Sequence, residues 1–147
     1  MKLRAATTAD APLMAGLHAA SFAEGWSAGA IADLMVSPGS FAFVVELDGI
    51  PVGFVLARTA ADEAEILTLA VSPACRGRGL GRVLMRAAAA RAKEGGALAI
   101  FLEVDAGNIS ARRLYGMLGF AEVGRRGAYY ARKGAEAGDA LTLKLTL

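Results

Sequence analysis

One stretch constrains the fold of this chain more than any other: Cys75-Arg76-Gly77-Arg78-Gly79-Leu80-Gly81-Arg82-Val83-Leu84-Met85. Gly77, Gly79 and Gly81 sit at every second position among three arginines, and an apolar helical pattern then begins. The run follows residues 64–72 (AEILTLAVS), a mostly apolar segment that reads as a strand central in a sheet. A strand that meets a glycine cluster and resumes as a helix must turn sharply between the two. The first turn of that helix has unpaired backbone N–H groups and the positive end of the helix dipole, which together suit an anion. Glycine lets the backbone approach a bulky phosphate, and Arg76, Arg78 and Arg82 add charge around it. The chemistry that fits is pyrophosphate binding. The plainer alternative is a tight strand-to-helix turn carrying a solvated arginine cluster.

Two other phosphate motifs fit less well. The run lacks the Lys-Ser/Thr ending of a nucleotide-hydrolysing P-loop. Its glycines are spaced G-x-G-x-G rather than G-x-G-x-x-G, and it lies mid-chain after a hairpin rather than in an opening βαβ unit.

The rest of the chain supplies the elements around this turn. Residues 2–6 read as a short strand. Thr8 or Asp10 caps a helix through Pro12, Leu13, Met14, Leu17 and His18. Ser27 caps a second helix with Ile31, Leu34 and Met35 on one face, ended by Pro38-Gly39. SFAFVVEL and PVGFVLART flank Asp48-Gly49, a strong hairpin signal. Residues 79–94 read as a helix stopped by Gly95-Gly96, and 98–104 (LAIFLEV) as a buried strand. Asn108 or Ser110 starts a helix through Leu114, Tyr115 and Leu118, stopped by Gly119. Two tail strands, 121–131 and 140–147, are joined by the polar loop KGAEAGD. The order β-α-α-β-β-β-α-β-α-β-β predicts one α/β domain over 1–147, with a mixed, mostly antiparallel sheet and helices on both faces.

Composition excludes several function classes. The chain is 55% hydrophobic and 20% charged over 147 residues, so it should fold, and the net charge is only +2. No basic run with interleaved aromatics points to nucleic acid. A single cysteine, Cys75, rules out an internal disulfide, and with one histidine it cannot close a metal site without carboxylate help, so no metal is expected. A lone cysteine fits a reducing compartment. The N-terminus MKLRAATTADAP has no apolar signal core, and no stretch approaches the ~18 apolar residues of a membrane span. The expectation is a soluble, cytoplasmic protein with no membrane partner.

Arg76-Gly77-Arg78-Gly79-Leu80-Gly81 matches the pattern Q/R-x-x-G-x-G/A, and there the stretch resembles the acetyl-CoA pyrophosphate loop of the GNAT N-acetyltransferases. DEAEILTLAVSPACRGRGLGRVLM resembles that family's core strand, loop and helix. LEVDAGNISARRLYGMLGF resembles its next strand and helix, where N-x-x-A/S…L-Y-x-x-x-G-F is typical. Trp26-Ser27 and GRRGAYY at 124–130 are similar to the RimI group of the family, which acetylates the N-terminal amine of a small-subunit ribosomal protein. The resemblance runs from about residue 3 to 147. One departure is Gly138, which stands before Asp139 where RimI-like chains tend to have an acidic residue.

Acetyl transfer to an amine needs a base, because only the neutral amine is nucleophilic. It also needs donors for the oxyanion of the tetrahedral intermediate and an acid for the departing thiolate. The resemblance implies Glu103 as the base. A carboxylate at a strand end beside Leu102 and Val104 is expected to have a raised pKa, whereas the plainer alternative is a solvated strand-end charge. Glu65, on the preceding strand, is a rival for the role. The resemblance implies Tyr115 as the acid and Asn108 as a hydrogen-bond partner of acetyl-CoA. The two are seven residues apart, hence on one helical face; the alternative for Tyr115 is core packing. The backbone of Leu69, Ala70 and Val71 is expected to pair with the pantetheine arm like an added strand, with the Val71 N–H region as oxyanion donor. Cofactor contacts are expected from Arg76, Gly77, Arg78, Gly79, Leu80, Gly81 and Arg82. Trp26 either walls the acceptor site or anchors a helix. Tyr129, Tyr130 and Arg126 either shape a peptide groove or pack a hairpin. Cys75 reads as filler, and His18 as a helix residue with no chemical role.

The resemblance therefore implies direct transfer from acetyl-CoA to a primary amine, foremost a protein N-terminus of the ribosomal-protein-alanine type. A free small amine as acceptor, and a non-catalytic acyl-CoA-binding module, are the competing readings.

Overall fold

A computed structural model of the chain describes residues 1–126 and 138–147. Strand β1 (Lys2–Ala5) leads through a 3-10 turn (Thr8–Asp10) into α1 (Ala11–Ser21), and α2 spans Ala28–Met35. Then come β2 (Ser40–Leu47), β3 (Ile50–Ala60) and β4 (Glu63–Val71), a 3-10 turn at Pro73–Cys75, and α3 (Leu80–Glu94). The remainder is β5 (Ala99–Asp105), α4 (Ile109–Met117), β6 (Ala121–Arg126) and β7 (Ala140–Thr146). The seven strands form one sheet in the order β1-β2-β3-β4-β5-β7-β6, antiparallel throughout except for the β4–β5 pair. This is the expected mixed sheet, with β4 at its middle. The tail expected at 121–131 is β6 as far as Arg126; its remainder, with Tyr129, Tyr130 and the first part of the polar loop, lies outside the described residues.

Local chemistry sets the element ends. Asp48 and Gly49 both take positive φ, 51° and 78°, the backbone of the tight hairpin turn whose twist matches β2 and β3. The Ser27 Oγ accepts the Ala30 N–H at 3.1 Å, and the Asn108 Oδ1 accepts the Ala111 N–H at 3.1 Å, so each caps its helix. Near the chain start, Arg4 donates to both Asp10 oxygens at 2.9 Å and to Glu46 at 2.8 Å, locking β1 to β2 and to the entrance of α1. The Arg4 guanidinium holds the Asp10 carboxyl below its ordinary pKa.

Helices cover both faces of the sheet. On one face Leu84, Met85 and Ala88 of α3 pack on Val55, Ile100 and Leu102. On the other, Met14 of α1 and Ile31 of α2 pack on Val44, Phe54 and Leu56. Each of the large side chains among these stabilises the fold by about 1.5–3 kcal/mol, and the methyl of Ala88 by about 0.8 kcal/mol. Among the described residues no helix is long and apolar enough to cross a membrane.

One irregularity positions everything that follows. Leu56 pairs with Thr68 and Ala57 with Ile66, so Leu67 is an extra residue in β4, a β-bulge. The bulge reverses the facing of the strand. Ala64 and Ile66 join the core under α3; beyond the bulge Leu69 and Val71 take that side, while Ala70 faces α1 and α2. Glu65 and Leu67 therefore share one face and Leu69 lies on the other. The ladder between β4 and β5 ends at Glu65–Phe101.

Candidate active site

Past Glu65–Phe101 the strands β4 and β5 part, and a cleft of about 960 Å³ opens between them. Ile66–Val71 line one wall and Leu102–Asp105 the other. The cleft is reached from both faces of the sheet. On the α3–α4 side its mouth is formed by Arg76, Gly77 and Gly79–Arg82 with Asn108, Ala111 and Leu114. On the α1–α2 side it is formed by His18, Ser21–Glu24 and Trp26.

The glycines of the loop serve two separate needs. Gly77 and Gly79 adopt φ of +79° and +77°, a left-handed backbone that side chains disfavour, and a Cβ at either would meet nothing within 4 Å. Gly81 has an ordinary backbone, but a Cβ there would come 3.0 Å from Leu114 Cδ2 and oblige that side chain of α4 to give by a few tenths of an ångström. Close approach thus explains Gly81 through a neighbouring helix, and turn geometry explains the other two. Val83 is the first residue of α3 whose N–H closes a helical bond, to Gly79 O at 3.1 Å. The N–H groups of Leu80, Gly81 and Arg82 are left for an anion.

The arginines of the loop divide. Arg82 lines the cleft. Arg76 also lines it, but its guanidinium donates to Val71 O at 3.2 Å and to Ser21 Oγ at 3.1 Å, tying the loop to β4 and α1. Arg78 is exposed and lies outside the lining. Arg113 of α4, which the sequence reading passed over, lines the cleft as a further cation.

In the cleft walls, Glu103 and Tyr115 are both present; Glu65 is not. Glu65 sits in the closed, paired part of β4 opposite Arg58 and Phe101. Arg126 donates one guanidinium nitrogen to both Glu103 carboxylate oxygens, at 2.6 Å for the longer contact. The Glu103 side chain is 40% exposed. The apolar surroundings expected from Leu102 and Val104 are absent, because strand alternation turns those two into the core under α3 and Glu103 away from it. Tyr115 is buried, its ring 5.7 Å from that of Phe120, and burial pushes its hydroxyl pKa up to about 12. At neutral pH the phenol therefore keeps its proton. Asn108 has its side-chain oxygen engaged as the cap of α4, which leaves its amide N–H groups for a ligand.

The matching of this chain to known proteins agrees with that geometry. Residues 12–120 match the model of the Acetyltransferase (GNAT) family. The chain belongs to the GNAT family. It is 37% identical over 139 residues to the N-alpha-acetyltransferase RimI of Mycobacterium tuberculosis, covering 90% of this chain and 86% of that one. It superposes on the ribosomal-protein-S18-alanine N-acetyltransferase of Escherichia coli with a TM-score of 0.90 at 28% identity, covering 99% of this chain and 92% of that one. Ard1 of Thermoplasma volcanium gives a TM-score of 0.85 at 26% identity, covering 99% and 97%.

Within this GNAT fold the α1–α2 side of the cleft holds what the sequence described least. Phe22, Ala23 and Glu24 line the cleft and carry no local motif. Trp26, half-buried, lines it too. Cys75 packs against the core under α3 and reaches the cleft. Gly138 explains its own departure from the RimI pattern. A Cβ there would lie 2.8 Å from both carboxylate oxygens of Asp105, and an acidic side chain would also bring a second negative charge beside it.

Proposed function

We propose that this GNAT enzyme transfers the acetyl group of acetyl-CoA directly to a primary amine, and that the amine is the N-terminal α-amine of a protein, of the ribosomal-protein-alanine type. The observation that carries the proposal is the single opening between β4 and β5, which joins an anion-binding helix terminus on one face to Glu103, Tyr115 and the Trp26 loop. The names of the relatives support the choice of acceptor.

In this reading the pyrophosphate of acetyl-CoA rests on the N–H groups of Leu80, Gly81 and Arg82, in the turn made by Gly77 and Gly79, with Arg76 and Arg82 near it and Arg78 on the outside of the loop. Asn108 donates its amide to the cofactor. The pantetheine arm lies along the open edge of Leu69, Ala70 and Val71 as an added strand, which puts the thioester carbonyl against the backbone N–H groups near Val71. Arg126 fixes the direction of Glu103 by gripping both its oxygens. Glu103 takes a proton from the incoming ammonium, and the neutral amine attacks the carbonyl carbon. The tetrahedral intermediate collapses with loss of the C–S bond, Tyr115 gives its proton to the thiolate, and the second proton of the attacking nitrogen leaves to solvent, from which the phenol regains its own. No step calls for a metal or an acyl-cysteine. The reading places the protein in the cytoplasm.

The test is a transfer assay with acetyl-CoA and three acceptors: a peptide with a free N-terminal alanine, the same peptide blocked at its N-terminus, and a panel of small amines. Product mass locates the acetyl group. Transfer to the free N-terminus alone is expected. Transfer to small amines alone discards the protein acceptor and keeps the chemistry. Acetyl-CoA binding with no transfer to any amine supports the binding-module reading instead.

A further inference from the structure

The chain's single histidine is used differently from what its place in α1 suggested. His18 is only 2% exposed, yet it lines the acceptor side of the cleft. Its ring is sandwiched between Phe22, at 4.3 Å and 25° between planes, and Trp26, at 4.7 Å and 20°. The His18 Nδ1 accepts the backbone N–H of Trp26 at 3.1 Å. A stack alone would be satisfied by phenylalanine. The hydrogen bond is what requires a heteroatom at this position.

That bond closes a loop. Residues 22–27 have no regular structure and fold back on the last turns of α1. Gly25 approaches so closely that a Cβ there would lie 3.0 Å from Ala19 Cα. Among the described residues, the Trp26–His18 bond is the one hydrogen bond that ties residues 23–26 to the rest of the protein. An accepting Nδ1 puts the proton of the neutral ring on Nε2. Burial lowers the pKa of the imidazole and favours this neutral form.

We propose that His18 is a positioning residue for the acceptor amine: by accepting the Trp26 N–H it pins the 22–27 loop, so that Phe22 and Trp26 form a fixed wall on which the acceptor's first residues lie. The inference rests on the acetyl-transfer reading above and adds a determinant of acceptor binding to it. The acetyl-CoA mouth is built from the glycine loop, α3 and α4, and its bond to α1 goes to Ser21, which stays in the helix, so loosening residues 22–27 weakens the acceptor and spares the cofactor.

Three variants separate the hydrogen bond from the packing. His18→Phe keeps a stacked ring and leaves the Trp26 N–H without its acceptor. His18→Gln keeps polarity but moves the acceptor one atom outward. His18→Asn places an amide oxygen near the Nδ1 position. Two readouts apply to each: KM for the alanine-terminated peptide and for acetyl-CoA, and the emission of Trp26, the chain's single tryptophan. His18→Phe and His18→Gln are expected to raise the peptide KM about ten-fold, with the acetyl-CoA KM moving less than about two-fold, as for loss of one hydrogen bond. Both should shift Trp26 emission to longer wavelength. His18→Asn should bring the peptide KM back to within about three-fold of wild type. Unchanged peptide KM in His18→Phe, equal rises for both substrates, or an Asn variant as weak as the Phe variant would each overturn the proposal. A wild type that transfers to no peptide overturns the transfer reading itself, and this is seen before any variant is made. Trp26 emission in His18→Phe identical to that of wild type overturns the pinning independently of activity.

Discussion

β4 and β5 lie side by side, yet their two halves behave differently. Over Glu63–Glu65 and Ala99–Phe101 they are bonded in a parallel ladder, with Ala64 and Ile100 sealed in the core. Past Glu65 they separate, and the backbone of β4 faces a cleft instead of a strand. The closed half contributes stability, and the open half presents unpaired strand edge and side chains to a ligand. One extra residue in β4 marks the change. A sheet can thus host a reaction at its centre without losing its core when its ladder is interrupted beside a bulge that turns the side chains.

The comparison can be broken at either half. The largest effect is expected in the open half. Glu103→Gln should lower kcat by about 10²–10⁴-fold, the worth of a positioned base, while the acetyl-CoA Kd from calorimetry stays within about two-fold. In the closed half, Ile100→Ala should cost about 2–5 kcal/mol of stability in denaturant titrations, because the side chain is fully buried, and leave kcat per folded molecule unchanged. A mutant that moved stability at Glu103 and activity at Ile100 would reverse the assignment of the halves.

A smaller effect sharpens the account of the mouth. Gly79→Ala places a side chain at φ of +77° and should cost about 1–2 kcal/mol, with weaker acetyl-CoA binding measured on the folded fraction. The smallest effect is the response to acid. His18 has a folded pKa below its ordinary value because it is buried. As pH falls below about 6.5, the unfolded chain takes up the proton first and stability declines, by at most about 1.4 kcal/mol per pH unit, until the folded pKa is passed. Asp10, depressed chiefly by its hydrogen bonds from Arg4, adds a second loss at lower pH, below the ordinary carboxyl range. Stability measured between pH 7 and 5 should show the first step in wild type and not in His18→Asn, since the chain has no other histidine.

What the sequence made legible was local. Asp48-Gly49 announces its own turn, since both residues tolerate positive φ, and Ser27 and Asn108 announce their helices by capping chemistry. The glycine loop could be placed between a strand and a helix for the same reason. What stayed hidden depends on partners far along the chain. The bulge at Leu67 exists only through the register of β3 against β4, so the facing of Glu65 could not be read from alternation. Arg126 reaches Glu103 across 23 positions, which turned an expected apolar setting into an ion pair. His18 looked like an ordinary helix residue because its partner is a backbone N–H eight residues on, in a segment without a motif.

The central claim is that the open half of β4 and the first turn of α3 receive acetyl-CoA. Hydrogen exchange with and without saturating acetyl-CoA tests it most directly. The account predicts slowing of about ten-fold or more among the amides of residues 66–71 and 80–82, with Glu63–Glu65 unchanged. Unaltered exchange at 66–71 and 80–82, or equal slowing along the whole of β4, would contradict it.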